Sequence, residues 1–167
     1  MILKGVLMPK GSFKISREAR GGRDVISLVG PLDAGADAQL NSLIEHAGRI
    51  CMFDFGGISN ITSDGVRAWM LFLREFRVNR QIFLSNCTPG IVAHLNMTQG
   101  FAQGATVQSV LAPMRCPKCS DQTGVTVDLA SPSVAQNASA SCPTCGTKIT
   151  IPTGYLDFLD AKKTGPS

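Results

Sequence analysis

Four of the six cysteines in this 167-residue chain fall into two pairs, Cys116-Pro-Lys-Cys119 and Cys142-Pro-Thr-Cys145. Two residues between cysteines let both sulfurs of a pair face one point, so two pairs can surround a single tetrahedral ion. Gly146 follows the second pair and permits the turn that such a knuckle needs. Four thiolates leave no open coordination position, which predicts one structural Zn2+ held by Cys116, Cys119, Cys142 and Cys145 and no metal-based catalysis. Paired metal-type spacing also argues against a disulfide framework and for a reducing, cytoplasmic setting.

Gly124 to Leu129 reads as a strand, Ser131 to Ser141 as a polar Ser/Ala-rich loop, and Lys148 to Pro152 as a returning strand. The segment resembles a zinc ribbon with a slightly long insert. Iron in a rubredoxin-like site has the same ligand pattern, but such domains are aromatic-rich and no aromatic residue lies between these knuckles, so zinc is expected. The basic residues there are few (Arg115, Lys118, Lys148) and stacking groups are lacking, which favours protein docking over nucleic-acid binding. The formal net charge of +4 omits about two negative charges that four thiolates on one divalent ion would add. Electrostatics therefore provides no strong nucleic-acid footprint.

A second constellation is Asp54-Phe-Gly-Gly-Ile-Ser-Asn-Ile-Thr-Ser-Asp-Gly65. The apolar run Ile50 to Phe53 leads into it, the Gly-Gly pair is expected to break a strand, and a helix is expected to begin near Asp64. The first backbone N–H groups of that helix lack intrahelical partners and carry partial positive charge, which suits an anionic group. Plain capping explains the same residues, with Ser63 or Thr62 as N-cap and Asp64 stabilising the first turn by about 0.3 to 1 kcal/mol.

These groups must be positioned by an α/β domain. Phe13 to Arg20 and Val25 to Val29 read as strands joined at Gly21-Gly22, a hairpin signal. Asp33 is placed to cap a helix with Ala36, Leu40, Leu43, Ile44 and Ala47 on one face. Ile50 to Phe55 reads as a buried central strand, and Asp64 to Asn79 as a helix. On that helix Val66, Trp69, Met70, Phe72, Leu73 and Phe76 sweep roughly 160°, with Leu71 outside the arc. One sheet face does not cover so wide an arc, so Trp69, Leu71 and Phe72 are expected to meet a protein partner or a second copy. Gln81 to Ser85 is a strand, Pro89 to about Gly100 a helix capped by Thr88, and Thr106 to Leu111 a closing strand. Strands alternating with helices imply a mixed, mainly parallel sheet. Asp33, Asn60 to Gly65 and Asn86 to Thr88 all follow strands and are expected on one functional rim.

Three of these stretches, Val29-Gly-Pro-Leu-Asp-Ala34, Cys51 to Phe55 running into Gly57 to Val66, and Leu84-Ser-Asn-Cys-Thr-Pro89, resemble in order and spacing the STAS domain of anti-sigma factor antagonists and sulfate-transporter tails. The resemblance spans about residues 12–112, leaving 113–152 as the ribbon and 153–167 as a short helix or tail. In the resembled antagonists a partner kinase, which is also the anti-sigma factor, phosphorylates the serine just before the glycine. Here those positions are Thr62, Ser63, Asp64 and Gly65, so the acceptor serine has become Asp64; Ser63, Thr62 and Ser59 remain other candidate acceptors. Asp33 matches an acidic residue that the family uses beside the switch. The resemblance implies a non-catalytic bacterial regulator binding a kinase-like anti-sigma factor or a multiprotein scaffold through Asp33, Ser63 to Gly65 and the second helix. A transport or envelope adaptor, and a nucleic-acid binder using the ribbon, are the rival readings. No nucleophile–base order or phosphate loop is present, Met1 to Pro9 is too short to span a membrane, and Cys51, Cys87, His46 and His94 read as ordinary structural residues.

Overall fold

The chain enters its sheet through a tight hairpin, β1 (Lys14–Arg20) and β2 (Arg23–Leu32), whose two-residue turn places Gly21 and Gly22 at φ 57° and 80°. Both values lie in the left-handed region that matches the twist of a two-residue hairpin and that glycine enters at little cost. The computed structural model describes residues 11–130 and 139–161. The loop expected at 131–141 therefore lies for the most part outside the described residues, as does the end of the 153–167 tail.

After β2, Asp33 accepts a hydrogen bond from the Gly35 N–H (2.9 Å) and starts a 3-10 turn, Ala34–Ala36, that runs on into α1 (Asp37–His46). The chain then forms β3 (Ile50–Ile61), α2 (Ser63–Phe76), β4 (Gln81–Ser85), α3 (Pro89–Met97) and β5 (Thr106–Val107). The five strands lie in the order β1-β2-β3-β4-β5, antiparallel in the opening hairpin and parallel elsewhere. This is the expected mixed, mainly parallel α/β arrangement.

Two expectations about this layer are corrected. Gly56-Gly57 does not end β3, which pairs with β2 as far as Ile61↔Leu32. The pairing slips between Ser27 and Val29, and a Cβ on Gly57 would lie 2.8 Å from the Leu28 carbonyl oxygen, so the glycines admit a bulge where two strands press together. The second correction is Trp69 and Phe72, expected to face a partner: they are 0% and 1% exposed. Phe53 on β3 meets Trp69, Phe72 and Phe76 edge-on at centroid distances of 5.2, 5.9 and 5.5 Å. The rest of the wide apolar arc is covered by α1 on one flank and by the 98–105 connection on the other, where Trp69 Nε1 donates to the Phe101 carbonyl (3.0 Å). Leu71 alone of the three is exposed, at 42%.

The expected closing strand is two strands. Thr106–Val107 pairs with β4, and β6 (Ser109–Arg115) leaves the sheet to form an antiparallel hairpin with β7 (Gln122–Asp128). Position 112 thus falls inside β6. A second small hairpin, β8 (Ser139–Ser141) and β9 (Lys148–Thr150), follows, and the described chain ends in a single turn, α4 (Phe158–Ala161). The two hairpins are not separate from the main core: Cys116, Val127, Cys142, Ile149 and Phe158 belong to one buried cluster with the sheet residues. Tyr155 donates its hydroxyl to the Leu111 carbonyl on β6 (2.6 Å), and Asn96 on α3 holds the Tyr155 carbonyl and the Phe158 N–H.

Candidate functional site

Each small hairpin carries one knuckle at its turn, and the two knuckles are built alike. In the first, the Cys116 N–H donates to the Asp121 carbonyl (2.9 Å) and the Ser120 N–H to the Cys116 carbonyl (3.0 Å); in the second, Cys142 donates to Thr147 (2.8 Å) and Gly146 to Cys142 (2.8 Å). The residue after each second cysteine is left-handed, Ser120 at φ 61° and Gly146 at φ 74°. A serine there adopts a backbone that favours glycine, which is why the sequence shows the turn signal in only one knuckle. The Thr144 hydroxyl also donates to the Asp121 carboxylate, a tie across the knuckles that spacing alone did not reveal.

The four Sγ atoms lie within 4.8 Å of one another, with Cys116–Cys145 at 3.5 Å and Cys119–Cys142 at 3.6 Å. A tetrahedral ion with Zn–S bonds of about 2.3 Å requires S···S edges of roughly 3.8 Å. The residues fit such an ion. Backbone N–H groups already favour thiolates here: the Cys119 N–H holds the Cys116 thiol down at about 6, and the Cys145 N–H lowers Cys142. Cys119 goes the other way: the Asp121 N–H would lower it, but burial and the three neighbouring thiols together push it up to about 12. Four sulfurs this close do not all ionise without a cation among them.

The second candidate site is the loop between β3 and α2. The Thr62 N–H donates to the Leu32 carbonyl (3.0 Å), which brings the start of α2 against the end of β2. A Cβ on Gly65 would lie 1.8 Å from the Leu32 oxygen, so only glycine allows this approach. Thr62, rather than Ser63, caps the helix, its Oγ1 accepting from the Gly65 N–H (3.1 Å). With the cap supplied by Thr62, Ser63 and Asp64 stand exposed in the first turn, and Asp33 is half-buried beside them. Asp33, Thr62, Ser63, Asp64 and Gly65 therefore share one rim. Asn86 lies lower on the sheet: its side-chain amide donates to Asp54 Oδ1 (3.1 Å), the oxygen that also accepts from the Gly56 N–H (2.8 Å). The β2–β3 arm carries the Thr62 rim beyond the end of β4.

The remaining two thiols, Cys51 and Cys87, are buried. Burial raises Cys51 to about 11 and Cys87 to about 12, with Asp24 and Asp54 adding to the respective shifts. Thiols held neutral in this way are poor nucleophiles.

Among the described residues no helix is long and apolar enough to cross a membrane. No protein-family model matches the chain, and no curated protein matches it. Among solved structures, the chain is similar to an anti-sigma factor antagonist from Mycobacterium paratuberculosis, at 13% identity and TM-score 0.49 over 57% of this chain and 85% of that one. It is also similar to the anti-sigma factor antagonist SpoIIAA in its unphosphorylated form, at 22% identity and TM-score 0.44 over 57% of this chain and 87% of that one.

Proposed function

We propose that this protein is a non-catalytic, cytoplasmic bacterial regulator that acts as an anti-sigma factor antagonist does, through a protein–protein contact at the Asp33 and Ser63–Gly65 rim. One observation carries the reading. The motif Thr62-Ser63-Asp64-Gly65 sits at a helix N-terminus pressed against β2, with Thr62 as the cap and the two following side chains free. In the resembled family that position holds a serine whose phosphate is added and removed. Asp64 supplies a permanent carboxylate there, about one negative charge against roughly 1.5 to 2 for a phosphate, at the positive end of α2. The regulator is then held in a state partway to the phosphorylated form. The four-cysteine centre is a zinc ribbon in this reading, a structural module offering a docking surface.

The test is affinity purification of the native complex together with Asp64→Ser. Recovery of a kinase-like anti-sigma factor or a scaffold, with Asp64→Ser gaining phosphorylation and altered affinity, is the expected result. Recovery of a membrane-associated ATPase would point to a transport or envelope adaptor, and recovery of nucleic acid to use of the ribbon. If Asp64→Ser leaves binding unchanged and Ser63→Ala abolishes an observed phosphorylation, the switch lies one residue earlier and the locked state is wrong.

A further inference from the structure

The other end of α2 carries a different chemistry. Arg74, Arg77 and Arg80 recur at every third residue through the last turn of α2 and just beyond, and they line one groove of about 320 Å3 together with Val78, Ile82 and Gly104. The sequence shows the spacing but not the convergence, because the groove's far wall comes from a segment more than twenty residues later.

Arg80 has a structural role. Its Nε donates to the Gly48 carbonyl (3.1 Å), Nη1 to Phe76 (3.1 Å) and Nη2 to Ile44 (2.7 Å), and its guanidinium lies 4.4 Å from the Phe76 ring centre. It clamps the ends of α1 and α2 and fixes a positive charge at the groove. Arg74 and Arg77 have no comparable role. Arg77 makes one long bond, Nη1 to the Gln103 carbonyl at 3.4 Å, and Arg74 has no hydrogen bond or ion pair with a described residue. The ion pairs among the described residues, Arg17–Asp24 and Arg20–Glu18, belong to the opening hairpin, and no carboxylate lines the groove.

A helix C-terminus favours a nearby cation, which accounts for one arginine at this end. It does not account for Arg74 and Arg77 lining one concavity beside Arg80 with no carboxylate in its wall, where the like charges repel each other and draw in an anion. Two guanidinium groups with free N–H donors suit the planar, bidentate recognition of phosphoryl oxygens. The groove volume is near the lower end of small-molecule sites, about 300 Å3, so the ligand is small. Val78, 61% exposed, gives the mouth an apolar side against which a carbon body can rest.

We propose that this groove binds a small phosphate monoester, with Arg74 and Arg77 holding the phosphoryl oxygens and Arg80 adding fixed charge. The site is independent of the Asp64 rim and stands or falls separately from it. The full zinc-loaded chain is titrated calorimetrically with inorganic phosphate, adenosine monophosphate, guanosine monophosphate and adenosine. Saturable binding of phosphate or of a monophosphate, absent with adenosine, is expected. The double variant Arg74→Gln/Arg77→Gln should weaken it at least tenfold with an unchanged melting temperature, while Arg23→Gln, an equal kind of charge loss on the hairpin, should change it by less than twofold. Tighter binding of a nucleotide than of phosphate assigns the apolar side to the base. Absence of saturable binding, or an equal loss in Arg23→Gln, overturns the proposal.

Discussion

Gly65 is the residue on which the Asp64 rim depends. Its missing side chain lets α2 approach the Leu32–Asp33 peptide, and a methyl group would fall 1.8 Å from a backbone oxygen that is itself bonded to Thr62. Gly65→Ala should therefore lower stability by about 3 kcal/mol, the upper part of the range for overpacking, and displace Asp33 from Asp64. Urea unfolding of the two proteins checks the first expectation; a variant as stable as the parent would mean that the contact relaxes freely.

At the scale of the element, α2 divides its labour by face. Trp69, Phe72, Leu73 and Phe76 lie in the core, so Phe72→Ala should cost about 3 to 5 kcal/mol and change partner affinity only through folding. Leu71 is the exposed apolar residue of the same helix. Leu71→Ala should leave stability within about 0.5 kcal/mol and weaken partner binding if the outer face of α2 joins the contact. Thermal melts combined with an affinity measurement separate the two. The over-wide apolar stripe, read from sequence as surplus for a partner, is consumed by α1 and the 98–105 connection.

At the scale of the molecule, β6 connects the sheet to the two cysteine-bearing hairpins. Its Leu111 N–H donates to the Cys87 carbonyl (2.8 Å) and its Ser109 carbonyl accepts from the Cys87 N–H (3.1 Å), while its far end leads into Cys116. Chelation should release one zinc ion and expose amides of β7, β8 and β9 to hydrogen exchange, because the ion supplies much of that module's folding free energy. The amides of β2, β3 and β4 should stay protected. Loss of protection across the sheet would show instead that β6 transmits the collapse. The docked C-terminal segment has its own signature in Tyr155, which burial, with a smaller effect from Cys87, pushes up to about 12. The neutral phenol is the form that donates to Leu111, so this stabilisation is complete below about pH 10, the ordinary value, and is lost as pH rises through the folded value. Tyr155 is the single tyrosine, so absorbance near 295 nm reports its titration, and a midpoint near 10 would mean that the segment does not dock.

The two Cys-x-x-Cys knuckles and the alternation of strands and helices are local properties, and the chain alone determined them. Cys-x-x-Cys spacing aims two sulfurs at one point whatever surrounds it, and glycines at 21 and 22 set a hairpin through their own backbone angles. Asp33 was legible as a cap because a cap needs only the next three residues, whereas Thr62 and Ser63 serve equally well in sequence and the fold selected Thr62. What required tertiary structure were the matters of neighbourhood. Gly56-Gly57 reads as a break in sequence, and the pressure of β2 against β3 made it a bulge. Trp69 and Phe72 are apolar in either setting, and only the placement of α1 and Phe101 decided that they are core. The groove of Arg74, Arg77 and Arg80 and the double attachment of β6 likewise join segments far apart in sequence, and no local pattern encodes such meetings.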